Sequence, residues 1–97
     1  MREKEIEAAL RRVVTDYKGW CLKWTSPSLT GIPDRMILLP GGKVAFVEVK
    51  APGKGLRPLQ LKRIEELRKL GFRCYVINNM TQIPVLVEEL VYEYDEV

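Results

Sequence analysis

Three charged residues stand at the ends of apolar stretches. Asp34 precedes Met36-Ile37-Leu38-Leu39, and Glu48 and Lys50 close the run that starts at Val44. A charge in such a place is expensive to bury without a partner. Glu48 and Lys50 are two residues apart, so on a strand they share a face. Two carboxylates a few ångströms apart repel, and one of them is expected to take up a proton. A hard divalent cation such as Mg²⁺ removes that conflict, because it seeks carboxylate oxygens and keeps several waters. A neighbouring ammonium then orients an attacking water or stabilises charge building on phosphorus. Hydrolysis of a phosphodiester needs an activated water, charge neutralisation and in-line positioning. Taken alone, the same residues also fit a surface Glu48–Lys50 ion pair, with Asp34 capping a turn.

The elements around these residues decide whether they meet. Residues 34–39 and 43–50 read as strands joined by Pro40-Gly41-Gly42. A three-residue loop pairs Leu39 with Lys43 and sets Asp34 opposite Glu48. One face then carries Asp34, Met36, Leu38, Val44, Phe46, Glu48 and Lys50, because side chains alternate with period two. A slip of one residue would lose the match. Residues 2–17 read as a helix with Ile6, Leu10, Val13, Val14 and Tyr17 on its apolar face. A short strand is expected from Trp20 to Thr25. A second helix starts at Pro58 and runs to about Leu70, closed by Gly71. A strand follows over 73–77, and Thr81 is expected to cap a last helix to about Tyr92. The order αβββαβα predicts one α/β domain over residues 1–97, a mixed sheet flanked by helices.

Other strings in the chain sharpen the reading. Gly31-Ile32-Pro33-Asp34-Arg35, then Phe46-Val47-Glu48-Val49-Lys50-Ala51-Pro52, then Leu59-Gln60 and Leu70-Gly71-Phe72 resemble the virus-type replication-repair nuclease (VRR-NUC) family. That family belongs to the PD-(D/E)XK nuclease superfamily, and the likeness is to its stand-alone, phage-like form. A bare PD…ExK string is common by chance, but the combined order and spacing are specific. The resemblance implies a restriction-endonuclease-like core and a Mg²⁺- or Mn²⁺-dependent deoxyribonuclease. It implies that Asp34 and Glu48 ligate metal through their carboxylates, and Val49 through its backbone carbonyl. Lys50 would be the catalytic lysine and Gln60 the supporting glutamine. Spacing agrees for Gln60, which shares a helical face with Ile64 and Leu67. The family also places a glutamate of the first helix near the metal, and Glu3 and Glu7 both qualify. The resemblance further implies a homodimer acting on branched DNA such as four-way (Holliday) junctions. A flap or nicking nuclease and a catalytically silent DNA-binding module are the alternatives.

Bulk properties are consistent with a polyanionic partner. The chain has 97 residues and a net charge of +3. The last ten residues hold five acids and no base, so residues 1–87 set sixteen bases against eight acids, a net +8. A basic body suits nucleic acid, and the acidic end is expected away from the binding face or on a neighbouring subunit. Lys23, Arg35, Lys54, Arg57, Lys62 and Arg63 flank the candidate site as phosphate contacts. The absence of histidine excludes Ser-His-Asp, Cys-His and histidine-based nuclease chemistry. Cys21 and Cys74 read as small apolar core residues, too few for a zinc site. Trp20 and Trp24 read as core residues on an alternating strand, with stacking on unpaired bases as the alternative. Tyr92 and Tyr94 are assigned to packing or a subunit interface. No stretch approaches the roughly 20 apolar residues of a membrane span, and the N-terminus lacks a signal-peptide pattern. The expected location is the cytoplasm of a bacterial host, as a phage or prophage protein without a small-molecule cofactor other than metal.

Overall fold

In the computed structural model, which describes residues 1–93, the chain forms a four-stranded sheet with helices on both faces. The elements are α1 (Glu3–Asp16), β1 (Trp20–Lys23), β2 (Arg35–Leu39), β3 (Lys43–Val49), α2 (Pro58–Lys69), β4 (Arg73–Ile77) and α3 (Gln82–Glu88). A π-helical turn over Glu89–Glu93 follows. The strands lie in the order β1-β2-β3-β4. The first two pairings are antiparallel and β3–β4 is parallel. A parallel pair requires a crossover, and α2 supplies it.

The β2–β3 register pairs Leu39 with Lys43 and Arg35 with Val47, so Asp34 stands one step beyond the ladder on the side of Glu48. This is the pairing that the three-residue loop predicts. Gly41 and Gly42 both have positive φ, 90° and 75°, a conformation that side-chain-bearing residues rarely adopt.

Each sheet face has its own core. On one face Ile37, Leu39, Ala45, Val47 and Val49 pack with Ile6, Leu10 and Val14 of α1 and Leu86 and Val87 of α3. On the other, Phe46 packs with Ile64 of α2 and Cys74, flanked by Trp24, Met36, Val44 and Leu67. Trp24 stacks on Phe46 at 4.4 Å between ring centroids. The apolar positions of β3 thus alternate between two layers, as a strand buried on both sides must.

Three expectations change. Trp20 is 66% exposed rather than in the core. It lies on edge strand β1, which pairs only with β2, and α2 covers the sheet nearer β4. Only Trp24 joins the packing on that face. Thr81 does not cap α3 with its side chain. Gln82 Oε1 instead accepts the Asn78 and Asn79 amides at 2.7 and 3.2 Å, and Asn79 Oδ1 accepts the Thr81 amide at 3.0 Å. The last helix also leaves α geometry at Glu89, where Lys43 Nζ donates to the Val91 carbonyl. Tyr92 is exposed, and Tyr94 lies outside the described residues. Cys21 is part-buried and Cys74 buried; burial pushes the Cys21 thiol up to about 11, away from reactivity. No described helix is long and apolar enough to cross a membrane.

Candidate active site

Glu48 is 2% exposed, the one buried charged residue among those described. β3 places it on the face covered by α2. One of its oxygens, Oε2, accepts from Lys50 Nζ at 3.2 Å and from Gln60 Nε2 at 3.2 Å. Its other oxygen, Oε1, is buried with no hydrogen-bond partner. Burial pushes the Glu48 carboxyl above the ordinary glutamate value, and the nearby Asp34 carboxylate pushes it further; Lys50 and its hydrogen bonds draw it part of the way back.

Asp34 is fixed from two sides. Its Oδ2 accepts the Val49 amide at 3.1 Å, and its carbonyl accepts the Trp24 amide at 2.7 Å. Lys50, just past the end of β3, gives its own amide to the Ile77 carbonyl at 2.9 Å, so β4 anchors it. Gln60 is oriented by the start of α2. Its Oε1 accepts the Arg57 amide at 2.9 Å, an N-terminal capping contact that leaves its NH₂ to face Glu48. Helix start and site geometry are therefore set by one side chain.

The segment before Asp34 is clamped to the same helix. Arg63 Nε donates to the Thr30 carbonyl at 2.8 Å, and its Nη1 meets Glu66 at 2.8 Å. Gly31 has φ +83°, and a Cβ there would stand 2.7 Å from Leu59 Cγ. Only glycine permits both the turn and this close approach. The sequence suggests a phosphate contact for Arg63 and gives no view of this clamp. Its position one turn after Gln60 on α2 is the available signal.

The structure thus brings Asp34, Glu48, Lys50 and Gln60 together and leaves Val49, the last residue of β3, between Glu48 and Lys50. It does not bring the first-helix glutamates to them. Glu7 forms an ion pair with Arg35, and Glu3 is exposed in the first turn of α1. No group of three or more acidic or cysteine side chains gathers among the described residues. Arg35 points to the α1 side, where its side chain is 12% exposed; the strand's parity turns it away from the face that carries Glu48. Arg35 and Arg63 are therefore engaged within the fold, and the exposed cations of the predicted set are Lys23, Lys54, Arg57 and Lys62. Glu88 and Glu89 of the acidic end sit on the α3 side, across the sheet from Glu48.

The donor set fits a divalent cation. An unpartnered buried carboxylate oxygen beside a second carboxylate is unfavourable without one, and hard oxygen donors suit Mg²⁺ or Mn²⁺. A stability measurement follows. In the folded state Glu48 holds a proton more tightly than in the unfolded chain, so its contribution to stability is present at acid pH. That contribution is lost as pH rises above about 4.5, the ordinary value, through the raised folded value. In EDTA, thermal midpoints of the protein relative to a Glu48→Gln variant should fall across this rise. Saturating Mn²⁺ should reverse the trend. A flat difference would contradict the burial account.

A parallel–antiparallel sheet that carries an Asp and a Glu-x-Lys on one face, with a glutamine from the crossover helix, defines the PD-(D/E)XK class of nuclease folds. The VRR-NUC domain family matches residues 1–80, and the chain belongs to that family. It is 38% identical over 86 residues to "Putative nuclease p44" of Acyrthosiphon pisum secondary endosymbiont phage 1, covering 89% of this chain and 92% of that protein. It also resembles a solved structure described as a VRR_NUC domain, with a TM-score of 0.82 and 28% identity over 89% of this chain and 94% of that one. The domain is a nuclease domain.

Proposed function

We infer that the protein is a metal-dependent DNA endonuclease that hydrolyses phosphodiester bonds in a bacterial host cell, using Mg²⁺ or Mn²⁺. The observation that carries this is the buried, unpartnered Glu48 Oε1 beside Asp34, with Lys50 held on the opposite oxygen. The Asp34 and Glu48 carboxylates and the Val49 carbonyl would hold the cation, which supplies charge neutralisation and lowers the pKa of a water for attack. Lys50, 13% exposed at the side chain, donates hydrogen bonds to the attacking water or to the non-bridging oxygens as negative charge grows on them. Gln60 donates to the same Glu48 oxygen as Lys50, which leaves Oε1 for the cation. The exposed Lys54, Arg57 and Lys62 bind phosphates without reading sequence, whereas Lys23, paired with Arg35, lies toward the other sheet face.

The substrate reading extends to branched DNA, four-way junctions included, cut by a homodimer. One active site per chain makes two-fold pairing the economical way to nick two strands symmetrically. Side-by-side cleavage of a labelled four-way junction, a flap and a linear duplex tests it. Paired nicks confined to the junction, with a dimer mass in sedimentation, are the expected result. Equal cleavage of flap and duplex by a monomer would overturn the junction reading and leave a general nicking nuclease.

A further inference from the structure

A cavity of about 210 Å³ lies under the β1–β2 connection, apart from the carboxylates. Trp24, Ile32 and Leu67 line it, with Leu29 and Leu70 also on its wall, 45% and 73% exposed. Arg63 and Glu66, already paired with each other, are its polar members. We propose that this cavity binds one unpaired nucleobase of the DNA strand being cut.

The proposal rests on the nuclease reading above and adds what part of the substrate is recognised. Position is the first support. The Trp24 amide is bonded to the Asp34 carbonyl, so one wall of the cavity begins at the site's first carboxylate. The opposite wall is α2, which carries Gln60 at Glu48 and Leu67 two turns later. At about 1.5 Å rise per residue, those positions are about 10 Å apart along the axis. Stacked nucleotides advance about 3.4 Å per strand, so the cavity lies about three nucleotides from the scissile phosphate. Charge is the second support. Lys62 and Lys69 of α2 directly precede the wall residues Arg63 and Leu70 in sequence and are exposed. An apolar cavity with an indole wall, bounded by a helix that carries exposed cations, matches a base whose backbone stays outside. The Arg63–Glu66 pair offers both a donor and an acceptor to a base edge. Chemistry is the third support. A base in a duplex keeps its edge paired and its faces stacked and cannot enter, so occupancy selects flaps, gaps and junctions whose central pairs have opened over continuous duplex.

The test measures binding by fluorescence anisotropy in EDTA, with the full chain. The probes are a linear duplex, the same duplex with a gap of four unpaired thymidines, and one with an abasic gap of equal length. The wild type should prefer the thymidine gap over the abasic gap by about ten-fold. Leu70→Glu, at an exposed position that leaves the fold intact, should reduce that ratio to within about two-fold. Leu29→Ser, which adds no charge, should move it the same way. Equal wild-type affinity for the two gaps would overturn the proposal, as would a ratio untouched by both variants. A change of oligomeric mass in Leu70→Glu without a change in the ratio would assign the cavity to a second copy of the chain. Mn²⁺-dependent cleavage by the wild type, run in parallel, separates the two readings: cleavage without base preference removes only the cavity, and no cleavage or binding of any probe removes both.

Discussion

Glu48→Ala is expected to reduce DNA cleavage by at least about a thousand-fold while leaving the protein folded. The magnitude follows from the chemistry assigned to the site: losing several kcal/mol of charge stabilisation costs about a factor of ten per 1.4 kcal/mol. The fold survives because Glu48 contributes little to it without metal. Its buried Oε1 has no partner, and burial raises its pKa, so the ionised carboxylate is a burden on the metal-free state. Lys50 and Gln60 lose an acceptor, but both keep some contact with solvent and can turn toward it. A second readout separates chemistry from structure. A ligand that binds only the folded state stabilises it by RT ln(1 + [L]/Kd), about 2.7 kcal/mol at a hundred times Kd. Mn²⁺ should therefore raise the thermal midpoint of the wild type and leave that of Glu48→Ala unmoved. A variant that cleaves normally, or one that is unfolded, would contradict this assignment.

Removing residues 81–97 is expected to unfold the protein, although the family match ends at residue 80. Ile83, Leu86, Val87 and Leu90 are each no more than 2% exposed and pack into the core shared with α1 and the sheet. Burying one such side chain is worth about 1.5–3 kcal/mol, so the four together contribute about 6–12 kcal/mol. A domain of this kind has only about 5–15 kcal/mol to lose. The shortened chain should show no cooperative urea transition and little of the helical circular dichroism of the full chain. A cooperative transition near that of the full chain would show that α3 is an accessory to the core.

Much of the fold and of the site is legible in the amino-acid sequence because β2 and β3 carry two independent signals that agree. The three-residue Pro-Gly-Gly connection sets the register, and the alternation of apolar residues sets the face; together they place Asp34 beside Glu48. Gln60 is legible for a similar reason, since helical period points it with Ile64 at the sheet. Trp20 is not, because alternation says which residues share a face but not how far the covering helix extends over an edge strand. Arg35 and Arg63 pass for surface cations because a guanidinium's partner lies far away in sequence. Arg35 finds Glu7 across 28 residues and Arg63 finds Thr30 across 33. The first-helix glutamate shows the same limit. Period puts Glu7 on the inward side of α1, and only the fold reveals that Arg35 takes it. The π-turn after Glu88 coincides with Lys43 reaching the Val91 carbonyl, a contact no local propensity encodes.

The most direct test of the central claim is cleavage of a labelled DNA junction by the wild-type protein in Mg²⁺ or Mn²⁺, beside the same reaction in EDTA. Cleavage should appear with either cation, stop on chelation and return when the cation is restored. Cleavage undiminished in EDTA, or none with either cation by a folded protein that binds the junction, would contradict the claim.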